Sequence, residues 1–366
     1  MLRKIKLVVS DLHLGRGYWR EDGSRNPLED FNHDEQFNEL LEYYSAKEYR
    51  GSEAELIING DFANLLEGTG EDNPEIISEG VALNRLEAVF RGHPRFFDAL
   101  REFVNREHHS IRYIIGNHDC GFYYPRVKRA LDQRLATKAQ YVDFVCSFDG
   151  FLLEHGHQHH PSNWYNPRRM FLTKSLSEPI LNLPWGGLFV LKVLNPIKLQ
   201  RPYVDKIRPF GAYIRWGLFN DLGFTLGTMM KIAYYFVTLN FIHPFWRESR
   251  IRMTWNVLKQ ITVQPDLDGA AREILRRSRY HTVIFGHTHQ YRHVQFWKNK
   301  EYLNIGTWID NISLDVENLG RNVVLSYILI DYPEPSSVRW EEDEKARPRA
   351  KLKAWQGHWR ITKDLA

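Results

Sequence analysis

Cysteine is almost missing from this chain: Cys120 and Cys146 are the only two among 366 residues. So few thiols exclude a disulfide framework and a thiolate metal cluster, and a reducing compartment is the expectation. No secretory leader is expected either. In the opening MLRKIKLVVSDLHLG, basic residues precede an apolar run, but Asp11 and His13 interrupt it before it reaches leader length. The stretch reads as a first core strand, with the cytoplasm as the expected location. No internal repeat is visible.

The formal charge of +4 hides an uneven distribution. Between Pro161 and Tyr280 lie 18 basic and 7 acidic residues, an excess of 11, which leaves the remainder acidic by 7. Such asymmetry marks a different kind of surface. Residues 161–280 are therefore read as a basic, apolar, mainly helical insertion in a core made of 1–160 and 281–332. The segment 333–366, dense in charge and proline, is expected to run over the surface as a tail or to be partly disordered.

The run IKLVVS is apolar and β-branched and stops at polar DLHLG, as a buried strand feeding a loop should. The same shape recurs four times. LIING ends at Asp61, IRYIIG at Asn117, FLLEHG contains His155, and TVIFG ends at His287. Between these runs, Asp34 to Lys47 and Ala82 to Asn105 carry apolar residues at helical spacing. Strands alternating with helices predict an α/β fold with a largely parallel sheet, whose ligands sit at the strands' carboxyl ends. From Arg292 on, HVQFW, YLNIG and VVLSYILI suggest a closing antiparallel meander.

Every polar cluster falls at such a strand end. Asp11-Leu12-His13 alone is weak evidence, since Asp-x-His can simply cap a helix. Gly116-Asn117-His118-Asp119 and Gly286-His287-Thr288-His289 are rarer. The order is what decides: five clusters, each directly after an apolar run, are gathered by the fold on one edge. Carboxylate, imidazole and amide oxygen suit manganese, iron or zinc.

The pattern D-x-H, GD, GNH followed by an acid, a single His and GHxH resembles that of the calcineurin-like metallophosphoesterases. The resemblance implies a four-layer αββα sandwich of two mixed sheets. It also implies two divalent ions, manganese first, with iron or zinc as alternatives. Asp11, His13 and His289 would hold one ion, Asn117, His155 and His287 the other, and Asp61 would bridge them. His118 would face the substrate as the catalytic residue. In HGHQHH, His155 is preferred because it closes the strand FLLE and precedes glycine; His157 is the reserve. Several phosphatase branches carry an acid where this chain has Asn64, which argues against a protein serine/threonine phosphatase.

The insertion follows the single-His element and emerges beside the metals. It holds aliphatic and aromatic runs such as PILNLPWGGLFVLKVL. Leu222 to Ile242 is long enough to span a bilayer, but Lys231 at mid-depth and the need to keep both halves of the site together reject a single pass. A shallow hairpin or an interfacial helix, with Trp216, Trp246 and Arg247 at headgroup level, is the expectation, against a buried subdomain core. A core with such a cap is similar to the UDP-2,3-diacylglucosamine pyrophosphatases of lipid A synthesis, whose cap shelters acyl chains at the membrane. This insertion is longer, and His118 stands where that branch has Arg, which leaves room for a substrate that releases an alkoxide. The expected partners are a lipid-linked phosphate and an anionic membrane surface, with the protein peripheral on the inner face. A nuclease or cyclic-nucleotide phosphodiesterase shares the metal pattern, but continuous aliphatic runs argue against a nucleic-acid groove. A non-enzymatic scaffold would tolerate lost ligands, and here every position is filled.

Overall fold

In the computed structural model, residues 2–241, 267–314, 319–333, 347–357 and 362–364 are described, apart from residues 21, 69 and 209. The first apolar run forms β1 (Lys4–Val9), in which every residue after Lys4 is buried. Strands β2 (Glu53–Asn59), β3 (His109–Ile114) and β4 (Gln140–Val142) add to it in parallel. A second sheet starts with the hairpin β5 (Val145–Phe148) and β6 (Phe151–Glu154). The short strands β7 (Phe171–Leu172), β8 (Ile180–Leu181) and β9 (Ile207–Arg208) belong to the insertion.

Next, β10 (Thr282–Phe285), β11 (Arg292–Trp297) and β12 (Lys300–Asn304) complete the second sheet in the order β11-β12-β10-β6-β5. Strands β13 (Asn311–Ser313) and β14 (Gly320–Asn322) join β9 in a small sheet. Finally β15 (Leu325–Asp331), β16 (Arg349–Trp355) and β17 (Thr362–Asp364) return to the first sheet, whose order is β17-β16-β15-β1-β2-β3-β4.

Alternation of side chains along these strands explains the layers. Val8, Ile57, Ile114, Ile328 and Leu352 of the first sheet meet Leu153, Ile284 and Leu303 of the second in one apolar cluster. Their neighbours Leu7, Val9, Leu56 and Ile58 point the other way, into a cluster with α1 (Asp34–Tyr43), α2 (Glu79–Gly92), α3 (Pro94–Val104) and α4 (Pro125–Leu135). The outer face of the second sheet packs Val283, Phe285 and Tyr302 on Ala271 and Leu275. The expected αββα sandwich of two mixed sheets is the fold.

Four readings are corrected. The helical stretch Ala82 to Asn105 is two helices, because Pro94 opens α3 and has no N–H with which to continue α2. The three late strands are not one meander: β11 and β12 pair in the second sheet, while β15 lies antiparallel to β1 in the first. The tail is not all surface, since β16 pairs with β15 along its whole length and buries Leu352, Ala354 and Trp355. The helix that covers the second sheet, Asp268–Arg277, lies within the segment read as insertion, so its amphipathic face serves the core. Residues 334–346, with most of the charged tail, and Trp246 and Arg247 lie outside the described residues.

The insertion is cemented to the helical side of the core. It begins its helices with α5 (Trp185–Phe189), which passes through a π-helical turn at Val190–Leu194 into α6 (Asn195–Lys198). Pro196 has no N–H to give the carbonyl four residues back, and the widened turn is where the helix absorbs that loss. Trp185, Leu188, Leu191 and Ile197 join the core cluster, and Asn195 Nδ2 donates to Leu66 O at 2.8 Å. Beyond it, α7 (Phe210–Asn220) and α8 (Leu222–Phe241) pack as a pair, with Gly217 admitting Thr225 where any Cβ would meet its Oγ1 at 2.4 Å. Among the described residues, no helix is long and apolar enough to cross a membrane.

Candidate metal centre

The five loops leave the carboxyl ends of β1, β2, β3, β6 and β10 and are zipped to one another. Asp11 N–H donates to Gly60 O at 3.1 Å and His13 N–H to Asp61 O at 2.9 Å. The loop after β3 closes on Asp61 because residue 116 is glycine; a Cβ there would lie 2.3 Å from Asp61 Oδ1. Likewise a Cβ on Gly286 would lie 2.5 Å from Asp11 Oδ2. Asp11, His13, Asp61, His287 and His289 all adopt left-handed backbone, with φ between 50° and 69°. Non-glycine residues rarely do so, at a cost of about 1 kcal/mol or more each, and such strain collects at functional sites.

Asp11, Asp61 and His155 each have one polar atom tied down and another left facing its neighbours. Asp11 Oδ2 accepts from Ser10 Oγ at 2.5 Å and from His287 N–H at 3.0 Å, which leaves Oδ1 inward. Asp61 Oδ1 accepts from His118 N–H at 2.8 Å, which leaves Oδ2. His155 Nδ1 is 2.8 Å from Asn59 O, so the proton sits on Nδ1 and Nε2 faces Asp61. Asp11 Oδ1, Asn117 Oδ1 and His155 Nε2 are buried with no hydrogen-bond partner among the described residues.

The inward atoms converge in three groups, of which the one formed by His13, Asp61 and His118 overlaps the other two. Asp11, His13 and His289 form a second, and Asp61, His155 and His287 the third, with the ligand atoms of each group within 4.8 Å of one another. His289 Nε2 lies 3.3 Å from Asp11 Oδ1 and 3.1 Å from His13 Nε2; His155 Nε2 lies 3.2 Å from Asp61 Oδ2. Ligands bonded at about 2.1 Å to one tetrahedral or octahedral ion stand about 3.0–3.5 Å apart, so the spacing fits divalent ions. Thiolate is absent from the set. His155 enters one of these groups, whereas His157, buried beside Tyr165, enters none of them.

Electrostatics reflects this packing. Burial opposes ionisation of Asp11 and Asp61, yet the His155 imidazole holds both below the usual carboxylate range, helped by His13 and His289 at Asp11 and by His118 at Asp61. His155 is itself raised to about 10: burial disfavours its charge, and Asp61 and Asp11 outweigh burial. His118 goes the other way, pushed down to about 3 by burial against the pull of Asp61. Its Nδ1 is 3.1 Å from Asn64 Oδ1, so the amide anchors the ring. His118 lines the cavity, and a ring nitrogen also approaches His13 and Asp61.

Several residues around the centre were not singled out from sequence. Asp119 accepts from Gly116 N–H, Phe62 N–H and Tyr113 O–H, so the acid that closes the GNH motif holds the loops rather than a metal. His160 Nδ1 lies 3.2 Å and Asn163 Nδ2 3.4 Å from His287 Nε2. The His155–His160 run was the available signal for His160. A cavity of about 240 Å³ joins Asp61, Asn117, His118 and His287 to Trp185 and Phe189 of the insertion.

Among curated proteins, none matches the sequence significantly. Among solved structures, a dimetal phosphatase from Danio rerio is similar at 8% identity and a TM-score of 0.35, over 89% of this chain and 95% of that one. A single mutant of Vps29 from Entamoeba histolytica is similar at 9% identity and a TM-score of 0.25, over 96% of this chain and 99% of that one. Likeness at these scores carries no inference about chemistry. Residues 6–291 match the calcineurin-like phosphoesterase family, named Metallophos. With ordered motifs, sandwich fold and paired clusters all in place, the chain belongs to the calcineurin-like phosphoesterases and is a metal-dependent hydrolase of phosphoester bonds.

Proposed function

We propose that this hydrolase acts on a lipid-linked phosphate at an anionic membrane surface, with UDP-2,3-diacylglucosamine as the leading substrate. In this reading Asp11, His13 and His289 hold one ion, Asn117, His155 and His287 the second, and Asp61 touches both. Manganese is the first choice of ion, with iron and zinc as alternatives. Two such ions, when bound, activate water and offset charge on the phosphoryl oxygens. The chain's own part is positional. Asn64 fixes the ring of His118 at the cavity, where it can exchange a proton with the leaving oxygen. Trp185, Phe189 and Val190 form an apolar wall facing the polar one.

The observation that carries the lipid reading is the α7–α8 pair. Phe219 is 89% exposed at its turn, and Tyr234, Met230, Trp216, Val237 and Leu222 are each more than half exposed. Apolar patches of this extent mark interaction surfaces. Arg215 and Lys231 lie among them in a segment with an excess of 11 positive charges, which favours anionic lipid. An interfacial helix pair needs no bilayer-spanning length.

The test combines vesicles and product analysis. The full chain should sediment with anionic vesicles and resist elution by salt alone, while Phe219→Asp with Met230→Asp should stay in the supernatant with unchanged turnover of a soluble chromogenic phosphodiester. UDP-2,3-diacylglucosamine should be cleaved far faster than UDP-glucosamine. Equal cleavage of both would remove the lipid reading and put the cyclic-nucleotide phosphodiesterase alternative first.

A further inference from the structure

A second cavity, of about 1090 Å³, shares no lining residue with the one at the metal centre. Its floor is a contact between two glycines. Gly17 has φ of +96°, and a Cβ there would lie 2.8 Å from Gly92 Cα; a Cβ on Gly92 would lie 2.4 Å from Gly17 N. The loop that follows His13 thus rests on the end of α2 with only backbone between them, and the space above is left open.

What surrounds that space is a combination of flat rings and guanidinium groups. Tyr18 and Trp19 meet edge to face at 4.9 Å, and Trp19 remains 67% exposed. Arg20 lines the same space, and Arg91, in the last turn of α2, forms no ion pair with a described residue. Deeper in, Glu67 is 3% exposed and its Oε2 has no hydrogen-bond partner among the described residues. A buried oxygen left unpaired carries a cost that a ligand donor would remove.

We propose that this cavity binds a nucleoside phosphate, with the base against Trp19, the phosphate at Arg91 and Arg20, and a base or sugar donor on Glu67 Oε2. Stacking on an aromatic face and guanidinium contact with phosphate are the two interactions such a ligand needs. Asp22, Asp34 and Glu67 also line the cavity and would repel an extended polyanion, so a single nucleotide fits better than a nucleic-acid strand. The inference is independent of the lipid reading, because it uses none of the metal-centre residues.

The experiment is calorimetric titration of the full chain, stripped of metal by a chelator, with ADP, UDP, adenosine, uridine and inorganic phosphate. One of the nucleoside diphosphates should bind without metal, and its nucleoside and phosphate alone should bind at least about tenfold more weakly. Trp19→Ala and Arg91→Ala, both surface changes, should each weaken binding roughly tenfold or more while leaving metal-loaded hydrolysis of a chromogenic phosphodiester unchanged. Failure of both diphosphates to bind the metal-free chain would overturn the proposal. So would binding that survives both substitutions, or phosphate alone binding as tightly as the nucleotide.

Discussion

His155 Nε2 stands 3.2 Å from Asp61 Oδ2, the same oxygen that lies 3.6 Å from His13 Nε2. One oxygen facing an imidazole from each of the two proposed ligand sets is what a shared ligand requires. Asp61→Ala should therefore lose both ions together rather than one. Metal analysis by mass spectrometry should fall from about two ions per chain to near none, with activity abolished. Retention of full metal-dependent turnover would refute the bridging role.

Replacing His118 tests which bond is broken. His118→Ala should slow an alkoxide-releasing substrate by roughly a hundredfold or more and impair pyrophosphate cleavage less. Asn64→Leu removes the acceptor 3.1 Å from His118 Nδ1 and should lower kcat in the same direction with little change in KM. Equal losses on both substrate types would exclude His118 as the acid that protonates the leaving group.

Lys198 joins the insertion to the core through buried charge. Its Nζ lies 2.8 Å from Asp30 Oδ2 and from Asp205 Oδ2, and Lys206 Nζ lies 3.0 Å from Asp30 Oδ1. Removing one cation leaves Asp30 under-compensated, and such losses cost about 3–5 kcal/mol. Lys198→Met should destabilise the protein by about that much in urea unfolding, and adding Asp30→Asn should recover a good part of it. A loss below about 1 kcal/mol would show that Lys206 alone suffices.

The stability of the fold should also depend on His93. Its Nε2 lies 3.3 Å from Glu29 Oε2 and its Nδ1 3.1 Å from Asp34 Oδ1. Burial disfavours its charge, but the bonds to Asp34 and Glu29 outweigh burial and raise it from the ordinary 6.5 to about 9. The folded value exceeds the unfolded one, so this contribution is complete below about pH 6.5 and is lost as pH rises through about 9. It amounts to roughly 3 kcal/mol. The stability gap between the parent and His93→Gln should shrink by most of that between pH 6 and pH 9.5. A gap that does not change would exclude a charged His93.

The motif loops were readable because each closes a buried strand, and a strand that stops at a polar residue places it at the sheet's edge. His155 is preferred to His157 on the same ground, since it alone directly follows β6. His160, Asn163 and Trp185 were harder: they reach the centre through the insertion, whose path no local pattern announces. β16 was hidden by composition. Arg349, Lys351 and Lys353 alternate with Ala350, Leu352 and Ala354, and that period of two was the signal, masked by the run of charge before it.

The partner of β1 has a consequence for how the molecule is made. Val8 pairs with Ile328 and Ile5 with Asp331, so β1 is completed by a strand emitted more than three hundred residues after it. Until then β1 has one unsatisfied edge, beside the loop that bears Asp11 and His13. Contacts this distant in sequence make folding slow and leave sheet edges exposed to other chains. The ribosome must therefore emit β15 before the sandwich can close, and nascent chains ending before Leu325 should aggregate rather than accumulate as a smaller folded enzyme.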